Sequence, residues 1–268
     1  MAELTAFTVG YCTHPAGMAL RGAGWQVCRF PARAYLLAVG GRHWLWDTGY
    51  AEHFRQHTSA GIFRLYAAIT PVHFAAHEAL LGQLRGVGLT PRDICGLLLS
   101  HFHGDHIAGL HDFAATPCIC SGEGWQRTRG LRGFGALRRA FVPGLIPAGF
   151  ETTLQFVESF PLLRLPAELA PFEWAWALPE SRNEILLVPL PGHAAGQIGA
   201  FVHTADGWTL LASDAAWAPQ GYREQRGPAR LTHLLMDDRA AYYDTPARLQ
   251  ALHRGGKVRI LLCHEGEL

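Results

Sequence analysis

Lysine is almost missing from this chain: Lys257 is the only one among 23 basic residues, which set against 22 acidic residues leave a formal charge of +1. Arginine takes its place throughout an Arg-, Ala- and Gly-rich sequence, a matter of composition rather than of function. Without excess positive charge the chain is a poor match for a nucleic-acid binder, whose affinity comes from neutralising phosphates, and no nucleic-acid partner is expected. Long apolar runs are also lacking. Stretches such as 35–39, 96–99 and 185–190 fall far short of the roughly 20 residues that cross a bilayer, so no membrane span is expected. The opening MAELTAFTVG carries an acidic residue and no apolar core of the secretory kind, which makes a cytoplasmic location the expectation. Paired C-x-x-C spacing is absent among Cys12, Cys28, Cys95, Cys118, Cys120 and Cys263. They read as reduced, buried small side chains rather than as a zinc ribbon, with Cys118 and Cys120 sharing one face of a strand.

What the chain does have is length and histidine. Its 268 residues, 49% of them hydrophobic, are ample for a buried core without disulfide staples. Short strand-like runs at 4–9, 25–30, 34–39 and 43–46 alternate with Gly-rich turns and predict an antiparallel opening. Apolar residues at helical spacing from Val72 to Val87 predict a helix, and 94–100 reads as a strand buried on both faces. A strand at 117–120 precedes a segment at about 122–180 that loses strand periodicity and is expected to be a helical insertion. Strands resume at 184–188, 198–203, 208–212 and 258–263, and Asp244-Thr245-Pro246 predicts the start of a helix ending before Gly255. Two comparable halves of strands and helices suggest an α/β fold of αββα type, two mixed sheets face to face with helices outside, in a single domain over 1–268.

Of the 15 histidines, three crowd into Ser100-His101-Phe102-His103-Gly104-Asp105-His106, directly after the predicted buried strand. An isolated histidine is ordinarily satisfied by a neighbour or by water; several with a carboxylate on one loop suit a metal ion. His101 and His103, two apart, point the same way in extended backbone and can grip one ion, while Asp105 and His106 can address a second. His193, Asp214 and His264 each follow a predicted strand, which puts them with the first cluster at one edge of the sandwich. Seven donors exceed what one tetrahedral ion needs and suit two ions about 3.5–4 Å apart sharing a carboxylate and a hydroxide, a nucleophile at neutral pH.

The pattern His-x-His-x-Asp-His, then Pro191-Gly192-His193, Ser213-Asp214 and Cys263-His264, with Asp47-Thr48-Gly49 upstream, resembles the metallo-β-lactamase-fold hydrolase superfamily. The resemblance implies that His101, His103 and His193 hold one divalent metal ion and Asp105, His106 and His264 the other, with Asp214 bridging. Zinc is the metal expected, with manganese or iron as alternatives. Asp47 would orient a ligand imidazole, and Asp105 would also steer a proton to the leaving group. The stretch from Leu80 to His101 is similar to the N-acyl homoserine lactonase branch, in which a tyrosine stands three residues after the bridging aspartate; here that position is Trp217, a candidate wall for an apolar group. The reading is a dinuclear metal-dependent hydrolase of an ester or lactone of a small apolar or acyl substrate. The alternatives are a thioesterase or phosphodiesterase of the same fold, or a weakly catalytic small-molecule binder. Arg127, Arg129, Arg132, Arg138 and Arg139 with Trp125, Phe134 and Phe141 form either a basic, aromatic lid or a solvated helix face. Tyr222, Tyr242 and Tyr243 are further candidates to polarise a carbonyl, and Trp174 and Trp176 line a pocket or pack a strand.

Overall fold

Thirteen strands build the framework of the computed structural model, which describes residues 1–265, so the last three positions of the expected 1–268 domain lie outside the described residues. They are β1 Glu3–Pro15, β2 Val27–Val39, β3 Arg42–Trp46, β4 Val72–His73, β5 Ile94–Leu98, β6 Cys118–Cys120, β7 Leu154–Phe156, β8 Leu162–Arg164, β9 Trp174–Ala177, β10 Ile185–Pro189, β11 Ile198–Thr204, β12 Gly207–Ser213 and β13 Val258–Leu262. One sheet has seven strands in the order β4-β1-β2-β3-β5-β6-β7, and the other six in the order β13-β12-β11-β10-β9-β8. Both are mixed: β3, β5, β6 and β7 run parallel, as do β12 and β13, and the remaining neighbours are antiparallel.

Period-two alternation sorts the side chains into layers. Along β2, Tyr35, Leu37 and Val39 point into the space between the sheets while Ala32, Ala34 and Leu36 join the outer core; along β10, Ile185 and Leu187 point inward and Leu186 and Val188 outward. The inner core takes residues from both sheets, among them Trp44, Trp46, Leu98, Ala200 and Leu211. The outer cores seat the helices, with Leu249 and Leu252 of the helix Arg239–Gly255 covering the second sheet. The result is the four-layer αββα sandwich.

Several boundaries differ from the sequence reading, each for a local reason. The runs at 25–30 and 34–39 are one strand, because β1 continues to Pro15 and pairs β2 along its whole length past an irregularity at Thr8/Tyr11. Val72 and His73 pair with β1 instead of starting a helix, which is confined to Leu80–Gly86. The segment 122–180 is only partly helical: the short helices Gly122–Thr128 and Gly133–Arg138 are followed by β7, β8 and β9, too short for their periodicity to stand out. The last long helix begins at Arg239, five residues before Asp244, because Asp238 caps it by accepting from the N–H groups of Ala240 and Ala241. Pro246 lies within that helix, which ends on Gly256 in the left-handed conformation at φ 69° rather than before Gly255.

Candidate metal centre

Five strands deliver their C-terminal ends to one edge of the sandwich. Asp47 follows β3, the 100–106 loop follows β5, His193 follows β10, Asp214 follows β12 and His264 follows β13. The backbone is forced at two of these exits, Asp47 at φ 55° and Ser213 at φ 47°, a conformation that costs a non-glycine residue about 1–3 kcal/mol and collects at functional sites. Gly192 is at φ 125°, and a Cβ there would come within 2.3 Å of the Tyr242 backbone, so only glycine lets the loop carrying His193 lie against the helix Arg239–Gly255.

All seven expected ligand residues are buried together. Donor atoms of His101, His103 and His193 lie within 4.8 Å of one another, as do those of His106, Asp214, Cys263 and His264. His193 Nε2 stands 2.9 Å from His103 Nδ1 and 3.4 Å from Asp214 Oδ2. His264 Nε2 is 2.9 Å from Asp105 Oδ2 and 3.3 Å from Asp214 Oδ2, while His106 Nε2 is 3.5 Å from Asp214 Oδ1 and 3.6 Å from Asp105 Oδ2. The two carboxyl oxygens of Asp214 thus reach both groups.

Hydrogen bonds on the outer side of the rings fix which nitrogen carries the proton. His106 Nδ1 faces Asp47 Oδ2 at 2.8 Å and His264 Nδ1 faces the Pro31 carbonyl at 2.8 Å; both partners accept only, so each Nδ1 is a donor and each Nε2 is the nitrogen whose lone pair a cation would take. His101 Nδ1 lies 3.0 Å from the Ser100 hydroxyl, whose own proton goes to Asp47 Oδ2 at 2.8 Å, so this ring has the same tautomer. Asp47 Oδ1 accepts the Ser100 backbone N–H at 2.8 Å, and Ser213 Oγ donates to Ser100 Oγ at 2.8 Å. Inside the cluster, His101 Nε2, His106 Nε2 and Asp214 Oδ1 are buried with no hydrogen-bond partner. Buried lone pairs and two carboxylates converging on the same space form a donor set fit for divalent cations.

The charges divide along the same line. Burial drives the imidazoles of His101, His103 and His193 down, His103 to about 3 and His193 to about 4, so these rings are neutral. Burial opposes charge on His106 and His264 as well, but Asp105 and Asp47 beside the first and Asp214 beside the second outweigh it and hold both well above the ordinary value. The carboxyls of Asp105 and Asp214 are held low against burial by the same imidazoles. The second proton on each of these rings would sit on Nε2, facing the carboxylates, where a divalent cation would take its place.

Other expected residues fall on and off this cluster. Trp217 packs edge-on against His193 and gives its indole N–H to Asp214 Oδ2 at 3.2 Å, so that donor is turned to the carboxylate. Trp217, Tyr242 and Tyr243 line a separate narrow cleft, Tyr222 is in the outer core, and Trp174 is exposed on its strand. Trp125 and Phe141 are buried whereas Phe134 is exposed. Sequence reasoning passed over Ser100 and Ser213, although each directly precedes a ligand candidate, and the carbonyl of Pro31. It also read Cys263 as a packing residue; its thiol is among the potential ligands, and it is engaged with the Arg33 backbone at 3.4 Å and 3.7 Å.

The family model of the metallo-beta-lactamase superfamily matches residues 29–242. Among solved structures, an N-acyl homoserine lactone hydrolase with its product N-hexanoyl-L-homoserine at the catalytic metal centre superposes with a TM-score of 0.72 at 18% identity, over 98% of this chain and 92% of that one. A variant of AiiA from B. thuringiensis, with N-decanoyl-L-homoserine at its active site, gives 0.73 at 18% identity over 98% and 92%. AidC, a dizinc quorum-quenching lactonase in complex with a product, gives 0.68 at 15% identity over 98% and 87%. At these identities the likeness is one of fold. With a family match spanning most of its length and a buried His/Asp cluster at the strand ends, this chain belongs to the metallo-β-lactamase superfamily.

Proposed function

We propose that the protein is a hydrolase that uses two divalent metal ions, zinc foremost, to cleave an ester or lactone of a small substrate. The observation that carries this reading is the fixed orientation of His101, His106 and His264: each gives its Nδ1 proton to an outward acceptor and turns Nε2 into the cluster. A protein that merely packed these rings would have no use for such an arrangement. His101, His103 and His193 would hold one ion and Asp105, His106 and His264 the other, with Asp214 between them. When bound, such ions supply nucleophilic oxygen at neutral pH by lowering the pKa of water from 15.7 towards about 7, and they polarise a carbonyl.

The chain's own residues do the rest. Asp47 holds His106 and, through Ser100, His101, so the rings meet their ions without rearranging. Asp105, whose side chain is 12% exposed, would pass a proton to the leaving group. Trp217, its N–H given to Asp214, offers a substrate carbonyl no donor, which favours activated esters over unactivated lactones. The test is metal analysis of protein purified without chelator, joined to a screen of lactones, aryl esters, thioesters and phosphodiesters with zinc, manganese and iron forms. Near two ions per chain with turnover of esters or lactones supports the reading; thioesters or phosphodiesters alone would move it to another branch of the fold, and full metal content without turnover of any class would overturn it.

A further inference from the structure

A cavity of about 200 Å³ opens beside His103 and His193. Phe102, Leu131, Ala194 and Leu235 form apolar walls, and its charge comes from Arg127, Arg139 and Asp237. Asp237 Oδ1 accepts from Arg127 Nη2 at 2.9 Å and pairs with Arg139 Nη1, also 2.9 Å away, so two cations share one carboxylate. Arg127 also pairs with exposed Glu123 at 3.4 Å, an i,i+4 contact weakened by solvent. Arg139 has no second carboxylate among the described residues. Its Nη1 is divided between Asp237 and the Met236 carbonyl at 3.3 Å, while Nε and Nη2 bond nothing in the described chain.

Backbone contacts hold this arginine in register with the metal cluster. Ala140, next in sequence and at φ 46°, accepts the N–H of Gly104 at 3.0 Å, which ties it to the loop of His103 and Asp105. On the opposite side the Asp237 N–H donates to the carbonyls of Gly192 and His193 at 3.1 Å each. The edge formed by Nε and Nη2 of a guanidinium matches the two oxygens of a carboxylate, and a neutral chain filling the same apolar cavity would strip water from that edge and give nothing back.

We propose that Arg139, with Arg127 and Asp237 behind it, is a carboxylate-binding subsite, and that the substrate is an ester or lactone whose acyl part ends in a carboxylate. The proposal rests on the hydrolytic reading above and names its substrate class. It separates Arg139 from Arg129 and Arg132, which line no part of the cavity.

Two esters of equal chain length and the same leaving group test it: mono-4-nitrophenyl glutarate and 4-nitrophenyl pentanoate, with the uncatalysed rates subtracted. For the zinc-loaded protein kcat/KM should favour the glutarate by about 10-fold or more, the scale of one charge-assisted pair. Because a ratio is insensitive to partial loss of folded protein, Arg139→Gln should bring it to about one, and Arg139→Lys, which keeps the charge and loses the fork, to a value between. A ratio near one in the parent, or one unchanged in Arg139→Gln, overturns the subsite. If neither ester is cleaved, calorimetry with the unreactive 4-nitroanilides of the same two acids decides separately. Preferential binding of the glutaryl compound, lost in Arg139→Gln, keeps the subsite and removes only hydrolysis; equal binding removes the subsite.

Discussion

Replacing Asp47 by asparagine tests the cluster at the point where tautomers are set. The carboxylate accepts three hydrogen bonds, from Ser100 N–H, Ser100 Oγ and His106 Nδ1, each at 2.8 Å, and it is 1% exposed. Asparagine matches its volume and tolerates φ 55°, where alanine would add about 1–2 kcal/mol of backbone strain. It has one acceptor oxygen, however. With that oxygen towards the Ser100 N–H, its NH2 meets His106 Nδ1 and forces the imidazole proton onto Nε2, where it covers the lone pair turned to the metal. With the amide flipped, the NH2 meets the Ser100 N–H, donor against donor. Either way a buried polar group is unpaired, at about 1–3 kcal/mol. At roughly 2–4 °C per kcal/mol for a chain of this size, thermal melting of the metal-free protein should fall by about 2–12 °C. Metal affinity and kcat/KM should each fall by about 10–100-fold, the usual consequence of losing the partner of a ligand imidazole. Competition against a chelator, steady-state kinetics and a melting curve measure all three. An Asp47→Asn protein that binds metal within about threefold of the parent and melts at the same temperature would refute the tautomer argument, since these are the smallest effects one unpaired donor allows.

Three further outcomes are expected. His264→Ala should lower the metal content from about two ions per chain to about one, since only one ion would use it; unchanged content by elemental analysis would refute the two-ion assignment. Trp217→Tyr, which can turn a hydroxyl towards a substrate carbonyl, should raise kcat/KM for homoserine lactones relative to aryl esters, by up to about 100-fold if the phenol supplies a full oxyanion donor; an unchanged ratio would show that another group does this work. Gly192→Ala should destabilise the fold by about 2–6 kcal/mol, because φ 125° and a 2.3 Å approach to the Tyr242 backbone act together, and should lose the His193 ion first; a soluble variant with parental melting temperature and metal content would mean that the loop moves freely.

Much of the site was legible because its chemistry is written in adjacent residues. His101, His103, Asp105 and His106 share one loop after a strand whose apolar run is unmistakable, and the structure brings His193, Asp214 and His264 to the same edge, as their positions at strand ends implied. The layers were legible for a similar reason: β2, β10, β11 and β12 are long enough for apolar density and alternation to register. The short strands within 122–180 were not. β7 and β8 have three residues each, less than two periods of the pattern, and their stretch of sequence passes for irregular or helical. Asp244-Thr245-Pro246 carries a valid start signal for a helix, but Asp238 carries one too, and the earlier cap prevails because the added turn packs Tyr242 against the Gly192 loop.

What no local pattern could supply is the set of contacts between residues far apart in the chain, and these decide the chemistry. Asp47 and Ser100 are 53 positions apart, Ser100 and Ser213 are 113, and Pro31 and His264 are 233, yet these hydrogen bonds choose which ring nitrogen is free. Ser100 follows a strand of one sheet and Ser213 ends a strand of the other, and their hydroxyl contact joins the two halves of the cluster beside the His101 ring, near two exits where Asp47 and Ser213 hold left-handed backbone. Strain of that kind persists only where surrounding structure over-determines it. Here the surrounding structure is the pair of sheets, each fixing its own strand ends through the apolar core between them, so the positions of the rings follow from that packing. Arg139 belongs to the same class of contact. Among arginines in one stretch of sequence it is set apart by its place: the carbonyl of the next residue, Ala140, accepts the Gly104 N–H, and Asp237, which it shares with Arg127, is brought to it by the fold.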